Sequence, residues 1–146
     1  MQAGLVYIAG TAGKMVVTQA ITPAVQSTIT LISSIRSQAS GTVTLQQVIT
    51  KHDITCILQT VEATMISLKC EKEPLKTAAS HVVSGVENIH HLLTRIADIT
   101  ASHNAGYISR WRQLNLDIEI IQLESLMSIL LNRFKLMCDI RLVVDS

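Results

Sequence analysis

The sequence predicts an all-α fold, a bundle of about four main amphipathic helices, and three observations carry that prediction. Leu116, Ile120, Leu123, Met127, Leu130, Phe134 and Met137 follow one another at alternating spacings of four and three, which places them on one stripe of a helix packed at a shallow angle against others. Leu75, Ala79, Val82, Val86, Ile89, Leu93 and Ile96 repeat the rule. Ile54, Leu58, Val61, Met65 and Leu68 give a shorter version. At 146 residues the chain is one domain's worth, long enough to bury a core without disulfide or metal support. Residues 1–146 are therefore read as a single helical domain, with a low-charge part, 1–50, and a charged part, 51–146.

Taken in order, residues 1–21 leave two readings open. Leu5 to Ala9, the turn Gly10-Thr11-Ala12-Gly13, and Lys14 to Thr18 fit a short hairpin or an extra helix. The helix is favoured, because an isolated two-stranded hairpin is marginal by itself. Thr22-Pro23 then reads as an N-cap followed by a first-turn proline. Val25, Ile29, Ile32 and Ile35 follow at helical spacing, and Ser40-Gly41 supplies a stop. This segment is rich in Ser and Thr, so packing rather than propensity must hold it.

Thr44 with Gln47 fits a capping box, and the Lys51-His52-Asp53 step interrupts the seam that follows. The chain turns at Glu71-Lys72-Glu73-Pro74, where a first-turn proline loses no hydrogen bond. Ser102 to Gly106 ends the next helix. In the last helix Ile118, Ile121, Leu126, Ile129 and Ile140 widen the apolar stripe, so the helix is expected to touch two neighbours.

Composition excludes several functions. Charged residues are 16% of the chain, against roughly 25% in typical soluble domains. The apolar excess is aliphatic: there are one Trp, one Phe and two Tyr, too few to stack bases. A net charge of +1 makes no electrostatic case for nucleic acid either. Cys56, Cys70 and Cys138 are too few and too scattered for a disulfide framework, and buried free thiols in a reducing compartment are the expectation. The N-terminus has no basic leader region and Lys14 interrupts the apolar stretch, so neither a secretory signal nor a membrane span is expected.

The charge distribution is the most informative feature. Residues 1–50 contain only Lys14 and Arg36 as formal charges, and the first acidic residue is Asp53. Thr, Ser and Gln fill the polar positions instead. Such side chains desolvate more cheaply than Lys or Glu, which is why interface cores are depleted in charge. The expectation is that this third of the chain is covered, with Val25, Ile29, Ile32 and Ile35 as contact residues.

Chemistry finds little support. Ala9-Gly10-Thr11-Ala12-Gly13-Lys14 resembles a phosphate loop only superficially, because Ile8 stands where a glycine is required and Met15 where a Ser or Thr is required. Glu87 and His90 form half of a bundle-type metal motif with no second copy. His52 and Cys56 are likewise only half of a zinc site. Arg110-Trp111-Arg112 is an aromatic–basic cluster that fits a phosphate or membrane-interface anchor, though a cap on a bundle core explains it better.

The sequence therefore favours a non-enzymatic structural or assembly subunit without catalytic, cofactor or metal sites. It would associate with itself or with larger protein partners in a multi-subunit particle, such as a virus shell, inside the cell or within the assembly. A peripheral membrane protein and a small metal-binding bundle are the rival expectations.

Overall fold

The computed structural model describes residues 2–37, 43–68, 70–106 and 114–144, with side chains from residue 19 onward except at 43 and 44. Among these residues the regular elements are all helices: α1 (Gln2–Ser37), α2 (Val43–Lys51), α3 (Ile54–Ser67), α4 (Glu73–Ala105) and α5 (Asp117–Val144). The predicted all-α class is correct, and the stretch predicted as one interrupted helix forms two, α2 and α3, a broken rod.

The break falls at His52-Asp53, where the seam pattern is interrupted. Asp53 adopts the left-handed conformation, with φ 48° and ψ 48°, a region that Asp tolerates better than most side chains. Its amide donates to the Thr50 carbonyl at 3.1 Å and its carbonyl accepts the Ile57 amide at 3.0 Å. One helix thus ends and the next begins across two residues.

Contacts between elements set the topology. Gln46 Nε2 donates to the Arg36 carbonyl at 3.5 Å and Gln26 Nε2 to Glu62 Oε1 at 3.3 Å, so α1 runs antiparallel to the broken rod. Arg133 Nη1 donates to the His81 carbonyl at 3.0 Å, and Arg95 donates to Gln122, so α4 and α5 are antiparallel. His52 with Glu124 and Lys72 with the Val144 carbonyl both join residues 72 positions apart, so the broken rod and α5 run parallel. Chain direction therefore alternates rod by rod, the up-down-up-down arrangement of short-looped bundles. Helix α4 packs between α1 and α5, α3 lies on α1, and α2 lies on α5.

The seams behave as predicted. Every named seam residue of α3 and α4 is buried, as are Leu68 and Leu116 just outside the helices; on α5 only Phe134 is partly exposed. Two hydroxyls are buried with them. Thr28 Oγ1 donates to the Ala24 carbonyl at 2.7 Å and Thr100 Oγ1 to the Ile96 carbonyl at 2.8 Å, so neither enters the core unsatisfied. At the start of α5, Asn115 Oδ1 accepts the Asp117 amide at 2.9 Å, and Asp117 and Glu119 complement the helix dipole.

Two expectations need correction. The segment 2–21 is helical, the reading favoured over a hairpin, and it continues into the next element without a break. Thr22-Pro23 is accordingly no N-cap: Pro23 lies inside α1, where it deletes one hydrogen bond at a typical cost of about 3 kcal/mol. Burial of Ile21 and Val25 on either side offsets that loss, while the proline ring faces outward. Finally, Ile118, Ile121 and Ile129 are exposed rather than packed on a second neighbour; Leu126 and Ile140 alone of that group pack against the core. The side chain of Thr44 and the Ser40-Gly41 stop lie outside the described residues.

Candidate interaction surface

Helix α5 carries two seams on opposite faces. The inward one has just been described. The outward one runs Ile118, Gln122, Ser125, Ile129, Asn132, Leu136, Asp139 and Val143, again at alternating spacings of four and three, and all eight residues are exposed. Ile118 is 67% exposed, Leu136 54% and Val143 75%, and Ile121 beside them is 66% exposed. A helix apolar on one face buries that face against its own core; one apolar on both needs a second cover. From Ile118 to Leu136 the intervening seam residues are uncharged amides and a hydroxyl. Over that stretch the seam is therefore free of formal charge, cheap to desolvate, and roughly 27 Å long at 1.5 Å per residue.

The solvent face of α1 has a related character. Between residues 19 and 37 its exposed positions include Gln19, Pro23, Gln26, Ser27, Thr30, Ser33, Ser34 and Ser37, with Arg36 as the single formal charge. Val25, Ile32 and Ile35, expected as contact residues, are instead fully buried in the domain's own core, and Ile29 is partly buried against it. Helical spacing identifies an apolar stripe but not what covers it. Arg110, Trp111 and Arg112 lie outside the described residues.

Two clefts flank α4. The larger, about 390 Å³, lies between α4 and α5 and is lined by Asn88, His91, Leu92, Arg95, Gln122, Ser125 and Leu126. The smaller, about 190 Å³, lies between α1 and α4 and includes Ser27, Glu87, His90 and His91. The His90 and His91 rings meet edge to face with centroids 6.0 Å apart. Glu87 and His90 thus share a cleft, but among the described residues no three His, Cys, Asp or Glu side chains come together as a metal site.

His52 and Cys56 likewise belong to no such cluster among the described residues. His52 Nε2 lies 3.1 Å from Glu124 Oε2, joining the broken rod to α5, while Cys56 is exposed. Cys70 is buried and Cys138 partly buried, and among the described residues no disulfide joins the cysteines. Burial raises the Cys138 thiol above its ordinary value; Arg141 opposes the shift and Asp139 adds to it. Among the described residues no helix is long and apolar enough to cross a membrane.

The chain matches no protein-family model, no characterised protein and no solved structure. The outward seam of α5 and the uncharged face of α1 are consequently the features from which function must be argued.

Proposed function

We propose that this protein is a non-enzymatic assembly subunit that associates with further copies of itself through the outward seam of α5. One observation carries the reading: Ile118, Ile121, Ile129, Leu136 and Val143 project from the face of α5 opposite the core. Large aliphatic side chains exposed together on one face mark contact sites. The heptad-like spacing of four and three is the pattern a second helix fills by interdigitation. The charge-poor face of α1 supports the reading as a second surface of low desolvation cost, through which a multi-subunit particle could extend.

A protein partner fits this surface better than lipid. Interfacial helices carry Lys and Arg along the flanks of the apolar face, whereas Asp117, Glu119, Glu124 and Asp139 accompany Lys135, Arg133 and Arg141 here. Size-exclusion chromatography with light scattering tests the proposal. The chain, of 16.0 kDa, should elute as a multiple of that mass, and the double variant Ile121→Lys/Ile129→Lys as the single chain with unchanged helicity. A wild-type monomer that floats with liposomes would replace this reading with the membrane-surface one.

A further inference from the structure

The cleft between α4 and α5 shares Gln122 and Ser125 with the outward seam of α5 but has a chemistry of its own. Arg95 and His91 on α4 face Gln122 and Ser125 on α5, Asn88 adds an amide, and Leu92 and Leu126 supply the apolar lining. Each of the five polar side chains can donate a hydrogen bond, and no carboxylate lines the space.

Arg95 is the central group. It donates to Gln122 Oε1 across the gap between the helices; both side chains are exposed, and most of the guanidinium N–H groups remain available. Among the described residues it forms no ion pair. The bond engages Gln122 Oε1 as acceptor and leaves its amide N–H groups available to a ligand. A cation held by a neutral partner, in a cleft of donors without acids, matches a planar or tetrahedral oxyanion, which guanidinium binds through paired hydrogen bonds. The cleft is open to solvent, with a volume of about 390 Å³, room for an anionic group at the surface.

The geometry points to an oxyanion-binding site at Arg95, with His91, Asn88, Gln122 and Ser125 as supporting donors, that takes a phosphate or carboxylate group on a small ligand. The site does not depend on self-association, although Gln122 and Ser125 also lie on the outward seam of α5.

NMR titration of the full chain with inorganic phosphate, and separately with acetate, tests this, followed at the Arg95 side chain and the amides around Asn88 and Gln122. Saturable shifts with either anion are expected, and the preferred anion distinguishes a phosphate ligand from a carboxylate. Arg95→Gln should weaken binding at least tenfold, Arg95→Lys should weaken it less because charge is kept while the paired geometry is lost, and Lys135→Gln should leave it unchanged. Thermal melts establish that each variant is folded. The titration is repeated on Ile121→Ser/Ile129→Ser, which weakens association without adding charge beside the cleft. Absence of saturable shifts in both backgrounds, or binding that survives Arg95→Gln, overturns the assignment.

Discussion

A Cβ atom placed on Gly85 would lie 3.2 Å from Leu130 Cδ1 and 3.7 Å from Leu130 Cα, so α5 packs tightly on α4 where α4 has no side chain. A glycine inside a helix costs about 1 kcal/mol relative to alanine, and the close approach explains its presence. In Gly85→Ala the propensity gain is set against a squeeze on Leu130, and near-neutral stability is expected. Gly85→Ile has no such balance and should lower stability by about 1–3 kcal/mol. Urea unfolding measures both; an unchanged midpoint for Gly85→Ile would contradict the close contact.

Asp53 carries the break in the second rod. Its side chain makes no capping hydrogen bond, so removing it loses little beyond a favourable charge near the start of α3. Asp53→Gly should keep or slightly raise the melting temperature, because glycine enters the left-handed region freely. Asp53→Val should lose about 1–2 kcal/mol, the usual penalty for a substituted residue there. Equal melting temperatures for the two variants would mean that φ at this position is not positive.

The two seams of α5 respond oppositely to charge. Leu123→Asp and Leu130→Asp place an unpaired carboxylate among fully buried residues and should unfold the domain. Ile118→Asp, on the exposed side, should change the stability of the isolated chain by no more than about 0.5 kcal/mol. Circular dichroism melts separate the outcomes. A folded Leu130→Asp variant would contradict the inward assignment.

Thiol reactivity follows burial. Cys56 should alkylate first, Cys138 more slowly and Cys70 slowest, since they are exposed, partly buried and buried. Burial also raises the Cys138 thiol, so its reaction should keep accelerating above the pH where an ordinary thiol levels off. The unfolded chain would then lose that proton first, and stability should decline as pH rises through the ordinary thiol range. Mass spectrometry after timed iodoacetamide treatment gives the order; Cys70 reacting with Cys56 would refute it.

The inward seams of α3, α4 and α5 are legible in the sequence because four-three spacing is unbroken in each. The interruption at Asp53 is legible for the same reason, as a lapse in the pattern. Pro23 misleads: local chemistry says helix start, while burial of Ile21 and Val25 carries the helix through it. Val25, Ile32 and Ile35 mislead differently, since an apolar stripe looks the same whether its own domain or a partner covers it. The outward seam of α5 follows the same arithmetic from Ile118 onward, but Gln122, Ser125, Asn132 and Asp139 interleave its aliphatic residues and hide it. The meeting of Arg95 with Gln122, 27 residues apart, depends on helix pairing and has no local signal.

Solvent access at the centre of the outward seam is the most direct test of the proposed association. Ser125→Cys, in a chain whose native thiols are replaced by Ser or Ala, places one reporter between Ile121 and Ile129, and Ser80→Cys on α4 is the exposed reference. The account predicts that the thiol at position 125 is shielded from maleimide at high protein concentration and becomes reactive on dilution, while the one at position 80 reacts alike throughout. Equal, concentration-independent labelling at both positions would contradict it.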